Sequence, residues 1–228
     1  MSKASTPPFE PRKTPVQARS TASVAAILEA TVQVLLKDGK AKLTTTRIAA
    51  RAGVSVGTLY QYFPNKSSLL QALLKEHLDS VALAMEVACE AARDAPLATM
   101  AETITSAFVK AKFHNIDASI TLYAVSDDVE GKRIARDMHA RATKAMTALL
   151  RTARETVTEP DLVAATLLSA MAGVSRAMLE RGVTRGTMIT MEKELTVMVR
   201  AYLQASAAKA DADRPFPSPK LQKNSKRA

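Results

Sequence analysis

Apolar residues recur at three- and four-residue intervals along most of this chain, and no segment alternates apolar with polar residues. The pattern therefore predicts helices throughout and no strand. Breakers divide it into nine segments. Val24, Ile27, Leu28, Thr31, Val34 and Leu35 form one apolar face of a first helix that opens with Thr14, Pro15 and Gln17 and ends at Gly39. Two short helices follow from Thr44 and Ser55. A long one runs from Asn65 to about Arg93, carrying Leu69, Leu70, Leu73, Leu74, Leu78, Val81, Met85 and Ala88 until Pro96 stops it. Further helices are expected at about 97–114, 117–126, 129–154, 160–181 and 187–206.

The two short helices carry the most specific local signal, TTTRIAARAGVSVGTLYQYFPNK at 44–66. Thr44 caps a helix whose Ile48 and Ala49 face inward, Gly53 supplies a turn that a Cβ would penalise, and Ser55 caps the next helix. On a wheel counted from Ser55, Leu59 falls inward between Val54 and Phe63, while Val56, Gly57, Tyr60 and Gln61 fall outward. Such a unit is built to lay its second helix in the major groove of DNA.

Charge strengthens that reading once it is divided along the chain. The total is +10, but residues 1–75 hold eleven Lys or Arg against three acids, 76–206 fifteen against seventeen, and 207–228 six against two. The positive ends flank a near-neutral body; basic surfaces are often merely solvated, but coincidence with the helix-turn-helix favours a polyanion partner. The proline- and charge-rich segment 1–13 predicts a disordered basic arm, and 208–228 a disordered basic tail. A single cysteine, Cys89, excludes an internal disulfide and predicts an inert core thiol. Neither a leader-like apolar region at the start nor a membrane-spanning window is evident, so a cytoplasmic, nucleoid-associated protein with no membrane contact is expected.

Thr44, Ile48, Ala49, Gly53, Val54, Ser55, Leu59, Tyr60, Phe63, Asn65, Lys66 and Leu69, with the preceding helix, resemble the TetR family of bacterial transcriptional regulators over roughly residues 15–75. The resemblance implies an all-α protein: an N-terminal three-helix DNA-binding domain at 14–64, then a larger ligand-binding and dimerisation domain at 65–207. It implies that Thr45 and Thr46 meet the DNA backbone, that the helix from Val56 to Tyr62 enters the groove, and that Lys66 holds a phosphate. Chemistry agrees. Hydroxyls at a helix start sit on the positive end of its dipole, and Lys66 adds a point charge just past the recognition helix. Gly57 permits close backbone approach, the methyls of Val56 and Thr58 suit a thymine methyl, and Gln61 suits adenine. Tyr60 and Tyr62 are candidate readers with an alternative as packing beside Phe63. Arg47 either meets a phosphate or faces water, and Arg12 and Lys13 of the arm are either minor-groove contacts or solvated charges.

One recognition helix makes few contacts, so double-stranded DNA with a palindromic operator and a homodimer are the expected partners. The small and apolar residues Leu162, Thr166, Ser169, Gly173 and Arg176, with Leu195, Met198 and Tyr202, are the expected dimer face. Phe108, His114 and Tyr123, among methionines, are the candidate lining for a small, largely apolar effector. A repressor is expected, since a groove-bound dimer blocks polymerase by occupancy. An architectural DNA binder without ligand control is the alternative, and an enzyme a weaker one. His77, His114 and His139 lack metal-ligand spacing, and no nucleophile motif or phosphate-cradling glycine loop occurs, so no cofactor, metal or catalytic residue is assigned.

Overall fold

The computed structural model describes residues 15–126 and 131–212. The expected arm at 1–13, the Thr14 cap and the tail beyond 212 lie outside the described residues. Within them the chain is all helical: α1 (Pro15–Asp38), a 3-10 turn (Lys40–Lys42), α2 (Thr45–Ala52), α3 (Val56–Tyr62), α4 (Lys66–Ala91), α5 (Leu97–Lys112), α6 (Ile116–Val125), α7 (Gly131–Leu150), α8 (Pro160–Arg181) and α9 (Arg185–Ala212).

Most boundaries follow from local chemistry. The Asn65 side chain accepts from the Ser68 amide at 2.8 Å while Ser68 Oγ accepts from the Asn65 amide, a reciprocal cap that starts α4. Several ends differ from the periodicity, most of all those of α7 and α9. α7 stops at Leu150 rather than 154, because Thr152 Oγ1 accepts from the Asp94 amide and Arg154 Nε donates to the Asp94 carbonyl, pulling the chain off the helix axis. α9 begins at Arg185 because Thr184 and Thr187 cap it reciprocally, and it continues to Ala212, into the segment expected as tail.

Two apolar clusters form the interior. One gathers α1, α2 and α3 around Ile27, Ile48, Leu59 and Phe63, and it also takes Leu69, Leu70, Leu73, Leu74 and Leu78 from the first half of α4, with Leu122, Val125 and Ile134 from α6 and α7. The second half of α4 enters the other cluster, with α5, α7, α8 and α9. The first three helices thus share their core with the body, and α4 belongs to both. Full burial of Leu- or Ile-sized side chains such as Ile48 and Leu69 makes truncation to Ala cost roughly 2–5 kcal/mol each. On the surface, Arg141 of α7 grips both carboxylate oxygens of Glu86 at 3.0 and 2.9 Å and Asp79 at 3.0 Å, clamping α7 to α4.

Against the expectation of no membrane-length window, the segments Ser20–Asp38 and Pro160–Arg181 reach mean hydropathies of 1.2 and 1.6 and are long enough to cross a bilayer by length and composition. In the fold each seats an apolar stripe in a core, Ile27, Val34 and Leu35 on α1 and Val163, Leu167 and Met171 on α8.

Candidate nucleic-acid interface and internal cavity

The turn between α2 and α3 is set by three residues. Thr44 Oγ1 accepts from the Arg47 amide at 3.3 Å, Gly53 closes α2 at φ 69° and ψ 27°, and Ser55 Oγ accepts from the Thr58 amide at 2.9 Å. Only glycine adopts the Gly53 conformation without a penalty, and each cap contributes about 1 kcal/mol. Leu59 is fully buried beneath α3.

That anchoring divides the candidate readers. Gly57, Tyr60 and Gln61 lie exposed on one face of α3, and Tyr60 OH is 3.3 Å from Thr45 Oγ1, which joins the start of α2 to the same surface. Thr46 is exposed beside it. Val56 and Tyr62 are half-buried and pack on the first cluster. The Thr58 hydroxyl is occupied by Ser55 Oγ at 2.8 Å. Arg47 pairs with Asp38 at 3.2 Å and Arg51 Nε donates to Gln33 Oε1 at 2.6 Å. Arg47 stays half exposed, and a surface pair of this kind is worth at most about 1 kcal/mol, so a phosphate competes for it easily. Lys66, the first residue of α4, is exposed just past α3. Arg12 and Lys13 lie outside the described residues.

A cavity of about 340 Å³ opens between α4, α5, α6, α7 and α8. Phe108 and Tyr123, both expected there, line it; His114 does not, because it is exposed in the turn between α5 and α6. Two residues of other expectation or none take its place. His77 of α4 lines the wall, and its Nε2 is buried without a hydrogen-bond partner. Lys112, at the end of α5, lines it as well. Burial, helped by the nearby Lys112 charge, lowers the His77 pKa to about 4, and burial lowers that of Lys112 to about 8. Both continue apolar stripes in the sequence, Leu73–His77–Val81 and Ile104–Phe108–Lys112 at intervals of four, a signal that points to inward-facing polar groups.

Arg176 and Gly173, expected at the dimer face, also line this cavity. Arg176 Nε donates to Tyr123 OH at 3.0 Å and to Glu180 Oε1 at 3.1 Å, while the Tyr123 hydroxyl donates to the same carboxylate, which pushes the phenol pKa upward. At the adjoining edge, a Cβ on Gly131 would lie 2.6 Å from the Ser126 carbonyl oxygen, so only glycine fits there.

On α8, Leu162, Thr166, Ser169, Gly173 and Arg176 form an exposed stripe. Of their expected partners on α9, Leu195 is withdrawn from the surface. Leu195 is buried in the second cluster and Met198 and Tyr202 pack half-buried against it, because α9 turns this face onto α5; the outward apolar residues of α9 are Ile189 and Val197.

A capped helix-turn-helix sharing its core with a cavity-bearing helical body is the architecture of a helix-turn-helix transcriptional regulator. Residues 27–73 match the model described as bacterial regulatory proteins, tetR family, and residues 96–203 match the tetracyclin repressor-like C-terminal domain. The chain belongs to the TetR family. Among its relatives, the HTH-type transcriptional regulator YvkB of Bacillus subtilis is 45% identical over 51 residues, 22% of this chain and 27% of that protein. The fatty acid metabolism regulator protein of the same organism is 38% identical over 60 residues, 26% of this chain and 31% of its own length. The likeness to these curated relatives thus covers less than a third of either partner. In fold, a transcriptional regulator from Cytophaga hutchinsonii superposes with a TM-score of 0.67 at 15% identity, over 82% of this chain and 99% of that one.

Proposed function

We propose that the protein is a DNA-binding repressor that acts as a homodimer on a pseudo-palindromic operator and leaves it when a small effector fills the cavity. The observation that carries this reading is the unobstructed face of Gly57, Tyr60 and Gln61 on α3, with Lys66 behind it at the start of α4. In this reading residues 14–64 bind DNA, with Thr45, Thr46 and Lys66 on phosphates and α3 against base edges, and residues 65–207 hold the effector and the dimer contact. The exposed α8 stripe from Leu162 to Gly173, with Ile189 and Val197 of α9, supplies small and apolar surface for a second copy.

Coupling follows from shared walls. Leu74, Leu78 and Leu122 line the cavity and belong to the core under the helix-turn-helix. An occupant that moves them biases the angle between the two recognition helices, and the ligand shifts the population by its differential affinity for the two arrangements.

The test is selection of bound duplexes from a randomised pool, followed by salt titration on the selected sequence. A two-fold motif whose half-sites lie about one helical turn apart, bound at least about 10³-fold tighter than random duplex, is expected. Equal affinity for all duplexes, with a steep salt dependence, would instead establish the architectural alternative.

A further inference from the structure

The cavity wall is apolar apart from a few groups, and the charge among those groups is one-sided. Among the described residues, Lys112, Lys132 and Arg176 line it, and no Asp or Glu does. Arg176 is already neutralised by Glu180 at 3.1 Å, and Lys132 is exposed to solvent. Lys112 differs from both. It is half-buried, none of the side-chain hydrogen bonds or ion pairs among the described residues involves its ammonium, and its neighbour His77 brings a buried Nε2 without a partner. A half-buried cation without a counter-charge gives up part of its hydration uncompensated, and this one stands beside an open volume rather than against a carboxylate of any described residue.

We propose that the occupant of this cavity is a small monocarboxylate with an apolar body, its carboxylate seated at Lys112 beside His77 and its hydrocarbon portion against Phe108, Leu78 and Met138. One unpaired cation calls for one negative charge, which disfavours dicarboxylates and phosphate esters; a cationic amphiphile would add a second positive charge to a site that cannot offset the first. The available volume, about 340 Å³, lies at the low end of small-molecule sites, so the body is short. This inference rests on the reading of the cavity as the effector site and refines it, since it replaces a largely apolar effector with an amphiphilic acid. Leu78 lies one residue beyond His77 and packs in the core under the helix-turn-helix, so a carboxylate drawn to this corner presses its body on the wall shared with that module.

The experiment is calorimetric titration of the full chain with octanoate, 1-octanol and octylammonium, three ligands of equal chain length and different charge, repeated on Lys112→Met. Octanoate should bind at least tenfold more tightly than 1-octanol, and octylammonium not measurably. Lys112→Met should remove the preference for octanoate while 1-octanol still binds. The inference is overturned if unmodified protein binds 1-octanol as tightly as octanoate, if it fails to bind octanoate at 1 mM, or if Lys112→Met keeps the tenfold preference. Should that variant not fold, the ranking of the three ligands on unmodified protein decides alone. DNA binding is measured separately. Discrimination among the ligands without any preferred duplex would refute the regulator and leave the acid site standing. A preferred duplex with no discrimination would refute the acid site alone.

Discussion

Gly57→Ala separates an interface role from a structural one better than any other change on α3. Gly57 is the second residue of a seven-residue helix, is exposed, and has an ordinary backbone conformation; a Cβ there would meet nothing nearer than Ser55 Oγ at 3.7 Å, an ordinary contact. The free protein therefore accepts alanine without strain. Alanine exceeds glycine in helix interiors by about 0.8–1 kcal/mol, and roughly half of that applies in a first turn, so Tm should rise by about 1–2 °C for a chain of this size. Against DNA the sign reverses. If α3 lies with its backbone at van der Waals distance from base edges, one inserted methyl costs about 1–3 kcal/mol of overpacking in each half-site, a loss of about 5- to 150-fold apiece. Fluorescence anisotropy with the selected operator and a random duplex, each at two salt concentrations, measures this. The specific complex should weaken while the random duplex and the salt slope hold, because no charge has changed. Unchanged operator affinity would mean that this face does not approach DNA, and a Tm several degrees lower would mean that glycine is needed by the fold.

Lys66→Ala should weaken binding to all duplexes alike and reduce the magnitude of the salt slope by about 0.9 for each subunit, checked by titration from low to physiological salt; an unaltered slope would remove Lys66 from the phosphate contacts. Octanoate affinity should depend on pH through Lys112, whose pKa of about 8 in the free protein must rise when a carboxylate binds. Binding then takes up a proton above pH 8, and affinity falls up to tenfold per pH unit there while 1-octanol affinity stays level; calorimetry in buffers of different ionisation enthalpy reads the proton directly. Gly131→Ala forces a Cβ to within 2.6 Å of the Ser126 carbonyl and should destabilise by about 1–3 kcal/mol in denaturant melts; an unchanged midpoint would refute the close approach of Gly131 to Ser126. Cys89 is buried and its thiol pKa is pushed up to about 12, so Ellman's reagent should leave the native protein untouched and react only on unfolding; rapid native labelling would contradict the packing of α4.

The helices and the recognition unit were legible in the sequence because their causes are local. Thr44, Gly53, Ser55 and Asn65 act within one turn of where they stand, and the apolar stripe of α8 fixes its limits at Pro160 and Gly182 without reference to anything distant. Periodicity also shows that Leu195 and Leu162 lie on apolar faces, but a period does not say what a face meets. Only the packed molecule decides that α9 turns Leu195 onto α5 while α8 leaves Leu162 outside, that Arg176 serves the cavity through Tyr123, and that His114 falls on a turn while His77 and Lys112, eight residues past Ile104, face one another's helices across an open volume. Caps and turns depend on neighbours in the chain; the partner of a face, and the burial that moves a lysine to a pKa of about 8, depend on helices scores of residues away.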